Sequence, residues 1–359
     1  MITVTKPHFP PLEEYVALLG EIWESGQLTN HGALVQRLEQ ALADRIGVPH
    51  VILVTNGTIA IQLALRALGI TQEVVTTPFS FVATTTSILW EHCSPVFADI
   101  DANTFCIDPT KVEAAITSTT QAILATHVYG YPCHVQELQR IANRHGLKLI
   151  YDGAHAFDTR INGESVLKHG DVTTLSFHAT KLFHTAEGGA VVVSDDGVAA
   201  RLRLLRSFGQ VGDEHYVAGT NAKLSELHAA MGLCMLPRVE ELIRRRMQVT
   251  SLYDSELAET SLRLPTIPPG VRHNYAYYPV LFRREKDLLR TRTALADASI
   301  HSRRYFHPSL NQLPYLSYDA CPVSEDIATR VLCLPLYAEL GNAEIDQICT
   351  IIRRHDEPA

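Results

Sequence analysis

The sequence predicts an α/β fold in which helices cover both faces of a mostly parallel sheet, followed by a smaller α+β domain. Three features of the chain lead to this prediction. Short β-rich runs alternate with helical stretches through the middle of the sequence, and these runs are apolar throughout. From near residue 240 this alternation stops, and long helical stretches and a proline-rich segment follow. A strand that is apolar along its whole length is buried on both faces, as in parallel sheets that are crossed by helices.

The large domain is predicted to contain seven strands. They are Val51–Thr55, Glu73–Thr76, Pro95–Ala98, Ala122–His127, Leu147–Tyr151, Val172–Phe177 and Ala190–Ser194. Between the first two runs, the apolar residues of Ile59–Leu68 have the spacing of a helix that packs on a sheet. Val135–His145 has the same spacing before the fifth run.

The later part of the chain predicts a second domain. Long helices are expected over Leu224–Leu236 and Val239–Leu257. After Pro265 the chain becomes proline-rich, and it is then predicted to form a strand, a helix and a last helix, which are Tyr275–Phe282, Lys286–Ala298 and Ala343–Arg353. We therefore expect a large domain over residues 1–238 and a small one over 239–359.

Composition and charge weigh against several classes of protein. The net charge of −8 gives no basic footprint for nucleic acid, and no apolar run approaches the length of a membrane span. The N-terminus lacks the basic and apolar regions of a signal peptide, and the seven cysteines are scattered with no C-x-x-C pair. These features favour a cytoplasmic protein with free thiols. The histidines show no zinc spacing, so no metal site is expected.

Several common enzyme signatures are missing. The sequence contains no G-x-G-x-x-G after a strand, no G-x-x-x-x-G-K-[ST] and no G-x-S-x-G. This weighs against a dinucleotide oxidoreductase, a P-loop NTPase and an α/β-hydrolase.

A first candidate site is the turn Thr55-Asn56-Gly57-Thr58, between the first predicted strand and its helix. A small turn that opens a helix presents free backbone N–H groups and the positive end of the helix dipole, which suits a phosphate. The alternative is an ordinary strand-to-helix turn with a threonine cap.

A second candidate is Asp152, which directly follows an apolar strand in Tyr151-Asp152-Gly153-Ala154-His155. A carboxylate at this point is either a helix cap or a functional acid. If a pyridine ring lay below the strand ends, Asp152 could keep its nitrogen protonated, as pyridoxal-phosphate chemistry requires. His155 could then contact the ring hydroxyl, although a histidine in a capped turn is equally plausible.

A third candidate is Lys181, in Ser176-Phe177-His178-Ala179-Thr180-Lys181, which is followed by a glycine pair and another strand. Lysines usually lie on solvated faces, so one between a strand end and a glycine pair is unusual. In a partly dry site a lysine loses proton affinity and can form a Schiff base, while Ser176 would offer its hydroxyl to a phosphate. Judged alone, the segment could equally be an exposed loop.

Taken together and in this order, the three segments resemble those of the nucleotide-sugar aminotransferase family of the DegT/StrS type. The matching motifs are TNGT, DGAHA, SFHATK and AEGG, and the resemblance covers nearly the whole chain. It implies the fold type I architecture of pyridoxal-phosphate (PLP) enzymes, with a mostly parallel mixed sheet in the large domain.

The resemblance also assigns residues to roles. It implies Lys181 as the catalytic lysine that carries the cofactor. The implied cofactor contacts are Asn56, Gly57, Thr58, Phe81, Asp152, His155, Ser176 and His178, with Phe81 stacked on the pyridine ring. Asn221 is expected to reach the cofactor phosphate of a neighbouring subunit, which implies a homodimer with shared active sites. The implied substrate contacts are Lys223, Arg304, Tyr305 and His307, although Lys223 stands where the family has arginine.

The implied reaction is transamination, in which the cofactor alternates between PLP and pyridoxamine phosphate. Because Lys181 is present, a dehydratase of the same family, which has histidine at that position, is disfavoured. A non-catalytic PLP-binding regulator is also disfavoured, because the sequence shows no basic stretch for DNA binding. The expected partners are L-glutamate and a nucleotide-linked keto-sugar. The F-H-x-x-K and T-x-E-G-G motifs resemble enzymes that aminate C4 of a 4-keto-6-deoxy sugar, with dTDP as the expected nucleotide and O-antigen synthesis as the implied pathway. UDP- or GDP-linked sugars and amination at C3 remain alternatives.

Overall fold

The computed structural model describes residues 1–356, and its centre is a seven-stranded sheet. The sheet strands are β1 (His50–Val54), β2 (Glu73–Thr76), β3 (Ser94–Phe97), β4 (Thr120–Thr126), β5 (Lys148–Asp152), β6 (Val172–Ser176) and β7 (Gly189–Val193). All seven predicted strands are present, each within two residues of its predicted bounds. Two longer strands follow in the later part of the chain, β8 (Tyr278–Leu281) and β9 (Val331–Leu334).

The strand order in the sheet is β1-β7-β6-β5-β4-β2-β3. All neighbouring strands are parallel except β7, which runs antiparallel to both β1 and β6. The prediction of a mostly parallel mixed sheet is therefore confirmed. Because β7 enters between β1 and β6, the carboxyl end of β6, the start of β7 and the carboxyl end of β1 meet at one edge of the sheet.

Helices cover both faces of the sheet. They are α1 (Leu12–Ser25), α2 (Ala33–Ile46), α3 (Gly57–Ala67), α4 (Val82–Trp90), α5 (Pro109–Ala115), α6 (Val135–His145), α7 (Asp196–Arg206), α8 (Glu226–Met235), α9 (Val239–Glu256), α10 (Glu285–Asp297), α11 (Pro322–Arg330) and α12 (Asn342–His355). Along β1, Val51 and Leu53 join the apolar cluster under α2, while Ile52 and Val54 join the cluster under α3. This alternation explains why the strand is apolar at every position.

The later part of the chain forms its own apolar cluster, in which α9, α10 and α12 pack on the antiparallel pair β8 and β9. Ile2 also belongs to this cluster, and Ile2–Thr3 pairs in parallel with Ile300–His301. The N-terminal residues therefore contact the small C-terminal unit before the chain enters α1. The boundary near residue 238 stays a prediction.

The structure adds helices that the sequence patterns did not indicate, among them α1, α2, α4, α7 and α11. It also contains short strands of two residues each, at Ile2–Thr3, Arg160–Ile161, Glu164–Ser165, Gln210–Val211, Glu214–His215, Val271–Arg272 and Ile300–His301. Within residues 1–356, none of the helices combines the length and the apolar character that crossing a membrane requires.

Candidate active site

A cavity of about 490 Å³ opens at the carboxyl ends of the parallel strands, next to the start of α3. It brings together ten of the predicted site residues, which are Asn56, Gly57, Thr58, Phe81, Asp152, His155, Ser176, His178, Lys181 and Tyr305. Open α/β sheets place ligands at this edge because the strand-to-helix turns diverge there.

Lys181 lies in the segment between β6 and β7, where its backbone N–H donates to the His178 carbonyl at 2.9 Å. Its Nζ lies 6.0 Å from the centre of the Tyr277 ring. Burial lowers the pKa of the Lys181 ammonium to about 8, although the nearby Asp152 and Tyr305 act in the opposite direction. About a tenth of the side chain is therefore the neutral amine, which is the nucleophilic form, at pH 7, and about half of it at pH 8.

Asp152 is the last residue of β5, and its carboxylate is buried. One oxygen accepts a hydrogen bond from the Thr84 hydroxyl at 2.8 Å, and the other accepts from the Ala154 N–H at 3.0 Å. Burial raises the pKa of this carboxyl, while both hydrogen bonds and the charge of Lys181 lower it. Among the described residues no cation lies within ion-pair distance of it, so the carboxylate has room for a cationic partner from the cavity.

His155 is also buried, and burial together with the nearby Lys181 holds the pKa of its imidazole well below the usual value. Its Nδ1 accepts a hydrogen bond from the Tyr129 backbone N–H at 3.1 Å. The proton of the neutral ring is therefore on Nε2, which is left as a donor.

The turn before α3 has the geometry of an anion site. Asn56 caps the helix, because its side-chain oxygen accepts from the Ile59 N–H at 2.9 Å, and Thr58 is exposed. A Cβ placed on Gly57 would lie 2.8 Å from the Ser176 Cβ, so only glycine allows the helix start to approach β6 this closely. The first amides of α3, which have no partner inside the helix, thus lie beside the Ser176 hydroxyl.

Aromatic side chains form the walls of the cavity. Phe81 is 55% exposed although it is large and apolar, and it lies at the start of α4. Tyr277, Tyr305 and Phe306 also line the cavity. The hydroxyl of Tyr129 donates to the carbonyl of Tyr305 and so ties this wall to the segment that follows β4.

Four of the predicted site residues do not line the cavity. Asn221 is exposed in a loop, where its side-chain oxygen accepts from the Lys223 Nζ at 2.7 Å, and that ammonium lies 4.6 Å from the Phe208 ring centre. His307 is exposed outside the cavity. Arg304 points away, because its guanidinium donates to Glu285 at 2.8 Å and to two backbone carbonyls of α11.

The structure places further residues at the site. Arg303, rather than its neighbour Arg304, lines the cavity, and so does Tyr277. Thr84 holds the Asp152 carboxylate. Thr84 lies three residues after Phe81, which the resemblance assigned to the cofactor, so this residue could have been found from the sequence. Tyr277 precedes an apolar strand and carries no such signal.

A second cavity, of about 590 Å³, lies between the starts of α5 and α6 and the loop at residues 268–271. It is larger, but it shares no lining residue with the first cavity and contains neither Lys181 nor Asp152. We therefore assign the chemistry to the smaller cavity.

The residues of the smaller cavity fit pyridoxal phosphate. The buried carboxylate of Asp152 would hold a protonated ring nitrogen, and the exposed face of Phe81 would pack on an aromatic ring. The start of α3, with Ser176, would bind a phosphate, and Lys181 would bind the aldehyde carbon. A cavity with these four features defines a PLP-dependent enzyme of fold type I.

Comparison with known proteins identifies the family. Residues 12–353 match the DegT/DnrJ/EryC1/StrS aminotransferase family, and the chain belongs to it. It is an aminotransferase, and its cofactor is PLP. The chain is 41% identical to a dTDP-4-amino-4,6-dideoxy-D-glucose transaminase from Shigella dysenteriae, over 98% of each chain, and 32% identical to a GDP-perosamine synthase from Vibrio cholerae, over 99% of each. Its fold matches the solved structure of DesI with its TDP-sugar product at a TM-score of 0.94 and 34% identity, covering 98% of this chain and 92% of DesI.

Proposed function

We propose that this aminotransferase moves an amino group from L-glutamate to C4 of a dTDP-linked 4-keto-6-deoxy sugar. The observation that carries the proposal is the single cavity in which Lys181, Asp152 and the start of α3 converge. The similarity to a relative named for a dTDP-4-amino-4,6-dideoxy-D-glucose transaminase supports the choice of sugar and nucleotide.

Each residue of the cavity has its own role in the proposed reaction. PLP, when bound, supplies the electron sink that stabilises negative charge at the substrate carbon. Asp152 would keep the ring nitrogen protonated, because a buried carboxylate gains most from a cationic partner. Neutral His155 would donate from Nε2 to the ring oxygen. Once its amine is free, Lys181 would take the proton from the donor α-carbon and deliver it to the cofactor, and in the second half-reaction it would carry a proton from the cofactor to C4 of the sugar.

A homodimer with shared active sites is part of the proposal. Leu12, Val16 and Trp23 lie along α1 and are 71%, 52% and 73% exposed. Such an apolar helix face is typical of a protein interface. Asn221 and Lys223 lie outside their own cavity, so we assign them to the cofactor phosphate and substrate of the neighbouring subunit.

The setting of the enzyme is also proposed. All seven cysteines are free and buried, as in proteins of a reducing cytoplasm. We place the enzyme there, in deoxysugar synthesis of the kind that supplies O-antigen or similar glycans.

The test of the amino-donor step is an absorbance spectrum of the protein with PLP, before and after L-glutamate is added. Wild type is expected to show a visible cofactor band that L-glutamate bleaches. Lys181→Ala is expected to lose transamination by about a thousandfold or more, because both the tether and the base are removed. Lys168→Ala, which removes a surface lysine paired with Glu164, is the matched control and should behave as wild type. Full activity in Lys181→Ala would overturn the proposal.

The test of the acceptor step compares dTDP-, UDP- and GDP-linked 4-keto-6-deoxy sugars as substrates of the pyridoxamine form. We expect the highest kcat/KM with dTDP and a product whose amine is on C4, measured by mass spectrometry and NMR. A preference for the GDP-linked sugar would instead align the chain with its GDP-perosamine synthase relative.

A further inference from the structure

We infer that Arg303 binds the anionic end of both reactants in turn: the distal carboxylate of the amino donor in the first half-reaction and the diphosphate of the nucleotide-sugar in the second. The inference rests on the proposed function, since it assumes these two reactants. Arg303 and its neighbour Arg304 have different surroundings in the structure.

The two arginines are in opposite electrostatic situations. Arg304 is neutralised by Glu285 and donates to the carbonyls of Ala328 and Thr329. Arg303 lines the active cavity, and its guanidinium makes no ion pair and no hydrogen bond within residues 1–356. A guanidinium is always charged and presents a fork of donors that matches a carboxylate or phosphate.

The backbone of Arg303 is fixed although its side chain is open to the cavity. Its N–H donates to the Cys333 carbonyl at 3.2 Å, and the Cys333 N–H donates back at 2.8 Å, which pairs the residue with buried β9. The guanidinium carbon lies 5.4 Å from the centre of the Tyr305 ring, and the Tyr305 carbonyl is held by Tyr129. The cation therefore lies within cation–π distance of a tyrosine whose backbone is held in place, which reduces the conformational entropy that ligand binding would remove.

Few cations are available in this cavity. Lys181 and Arg303 are its only lysine and arginine among the described residues, and Lys181 is committed to the cofactor. The chain as a whole has a net charge of −8, so its general field opposes an anionic substrate. Apart from the partner subunit's Lys223, which the proposed function assigns to the substrate, Arg303 is the remaining fixed charge that could hold one.

Both reactants carry an anion at a comparable distance from the carbon that reacts. In L-glutamate the second carboxylate ends a short side chain that starts at the reacting α-carbon. In the sugar the diphosphate is attached across the ring from C4. Lys181, Tyr305 and Arg303 line the same cavity, and the Tyr305 hydroxyl interacts electrostatically with both cations. We therefore expect the anion of a reactant whose reacting carbon lies at Lys181 to extend toward Arg303. One guanidinium can therefore serve two substrates that are never bound together.

Single-turnover measurements of the two half-reactions test the inference. The PLP form is mixed with L-glutamate or with L-alanine, which lacks the distal carboxylate, and the pyridoxamine form is mixed with dTDP-4-keto-6-deoxyglucose. In Arg303→Ala we expect the apparent Kd for L-glutamate and for the nucleotide-sugar to rise roughly ten- to a hundredfold. The slow reaction with L-alanine and the cofactor spectrum should be unchanged.

Two further variants separate this role from a structural one. Arg303→Lys keeps the charge but loses the fork, so it should recover part of the affinity for both reactants. Arg201→Ala, on the exposed face of α7, is the matched control and should equal wild type.

The outcomes distinguish the inference from the proposed function. Wild type that ignores L-glutamate would overturn the proposed function, whatever the variants do. If wild type reacts with L-glutamate and Arg303→Ala binds each reactant as tightly as wild type does, the inference alone would be overturned. A loss of affinity for only one of the two reactants would overturn the shared role. An equal loss of reactivity with L-alanine would also overturn it, because it would indicate general damage to the cavity.

Discussion

At the scale of single residues, the reactivity of the cavity depends on a lysine that burial makes less basic. Because burial lowers the pKa of Lys181 from 10.5 to about 8, the amine is protonated below pH 8 and neutral above it. Only the neutral amine can attack the aldehyde of the cofactor. We therefore expect the rate of covalent attachment of PLP to the cofactor-free protein to rise about tenfold per pH unit up to pH 8 and then level off.

Stopped-flow absorbance of the cofactor band, measured from pH 6 to pH 10.5, checks this expectation. A free lysine derivative in solution is the comparison, and its rate should keep rising up to its own pKa near 10.5. A profile of the protein that follows the free amine would show that Lys181 is not held in a dry site.

Some of the site residues could be predicted from the sequence alone, and others could not. Lys181 and Asp152 could be predicted because each stands at a strand end inside a short motif, and the motifs follow one another along the chain in a specific order. The choice between Arg303 and Arg304 could not be predicted. The two are adjacent in the sequence, and which guanidinium enters the cavity depends on the pairing of Arg303 with Cys333, a residue distant in sequence.

At the scale of elements, the site depends on how closely the start of α3 approaches β6. A Cβ on Gly57 would lie 2.8 Å from the Ser176 Cβ and 3.3 Å from its Cα, and the latter, as backbone, cannot easily move away. Gly57→Ala should therefore push the helix start outward. We expect a loss of about 1–3 kcal/mol in the free energy of unfolding, and PLP affinity weakened by about tenfold or more.

Thermal unfolding of the cofactor-free protein and titration with PLP measure the two effects. The matched control is Gly20→Ala in α1, where a Cβ would meet nothing within 4 Å. That substitution should raise stability by up to about 1 kcal/mol through helix propensity and leave PLP affinity unchanged. Equal PLP affinity in Gly57→Ala and wild type would rule out the start of α3 as the phosphate site.

Elements differed in how well the sequence predicted them, for a physical reason. Most sheet strands are buried on both faces and rich in apolar residues, so their composition marks them. Helix α1 has apolar residues at helical spacing, but Leu12, Val16 and Trp23 are exposed and only Ile22 is buried, so the pattern does not belong to a helix packed on its own chain. Helix α4 is rich in threonine, including Thr84, whose hydroxyl binds Asp152 instead of packing in a core.

At the scale of the whole molecule, the proposed shared sites make a prediction about mixed dimers. Lys181 lines the cavity of its own subunit, whereas Asn221 is exposed outside it and is assigned to the neighbour. Lys181→Ala and Asn221→Ala should each be strongly impaired as pure proteins. In a hybrid of the two, one site carries both defects and the other carries neither.

The two variants are unfolded together, refolded as a mixture and assayed, with each variant refolded alone as the control. In a statistical mixture half of the dimers are hybrids, and each hybrid has one intact site of two, so activity should recover to about a quarter of wild type. If Asn221 served the cavity of its own subunit, each site of a hybrid would carry one defect. The mixture would then be no more active than the average of the two variants, and the proposed sharing of sites would be wrong.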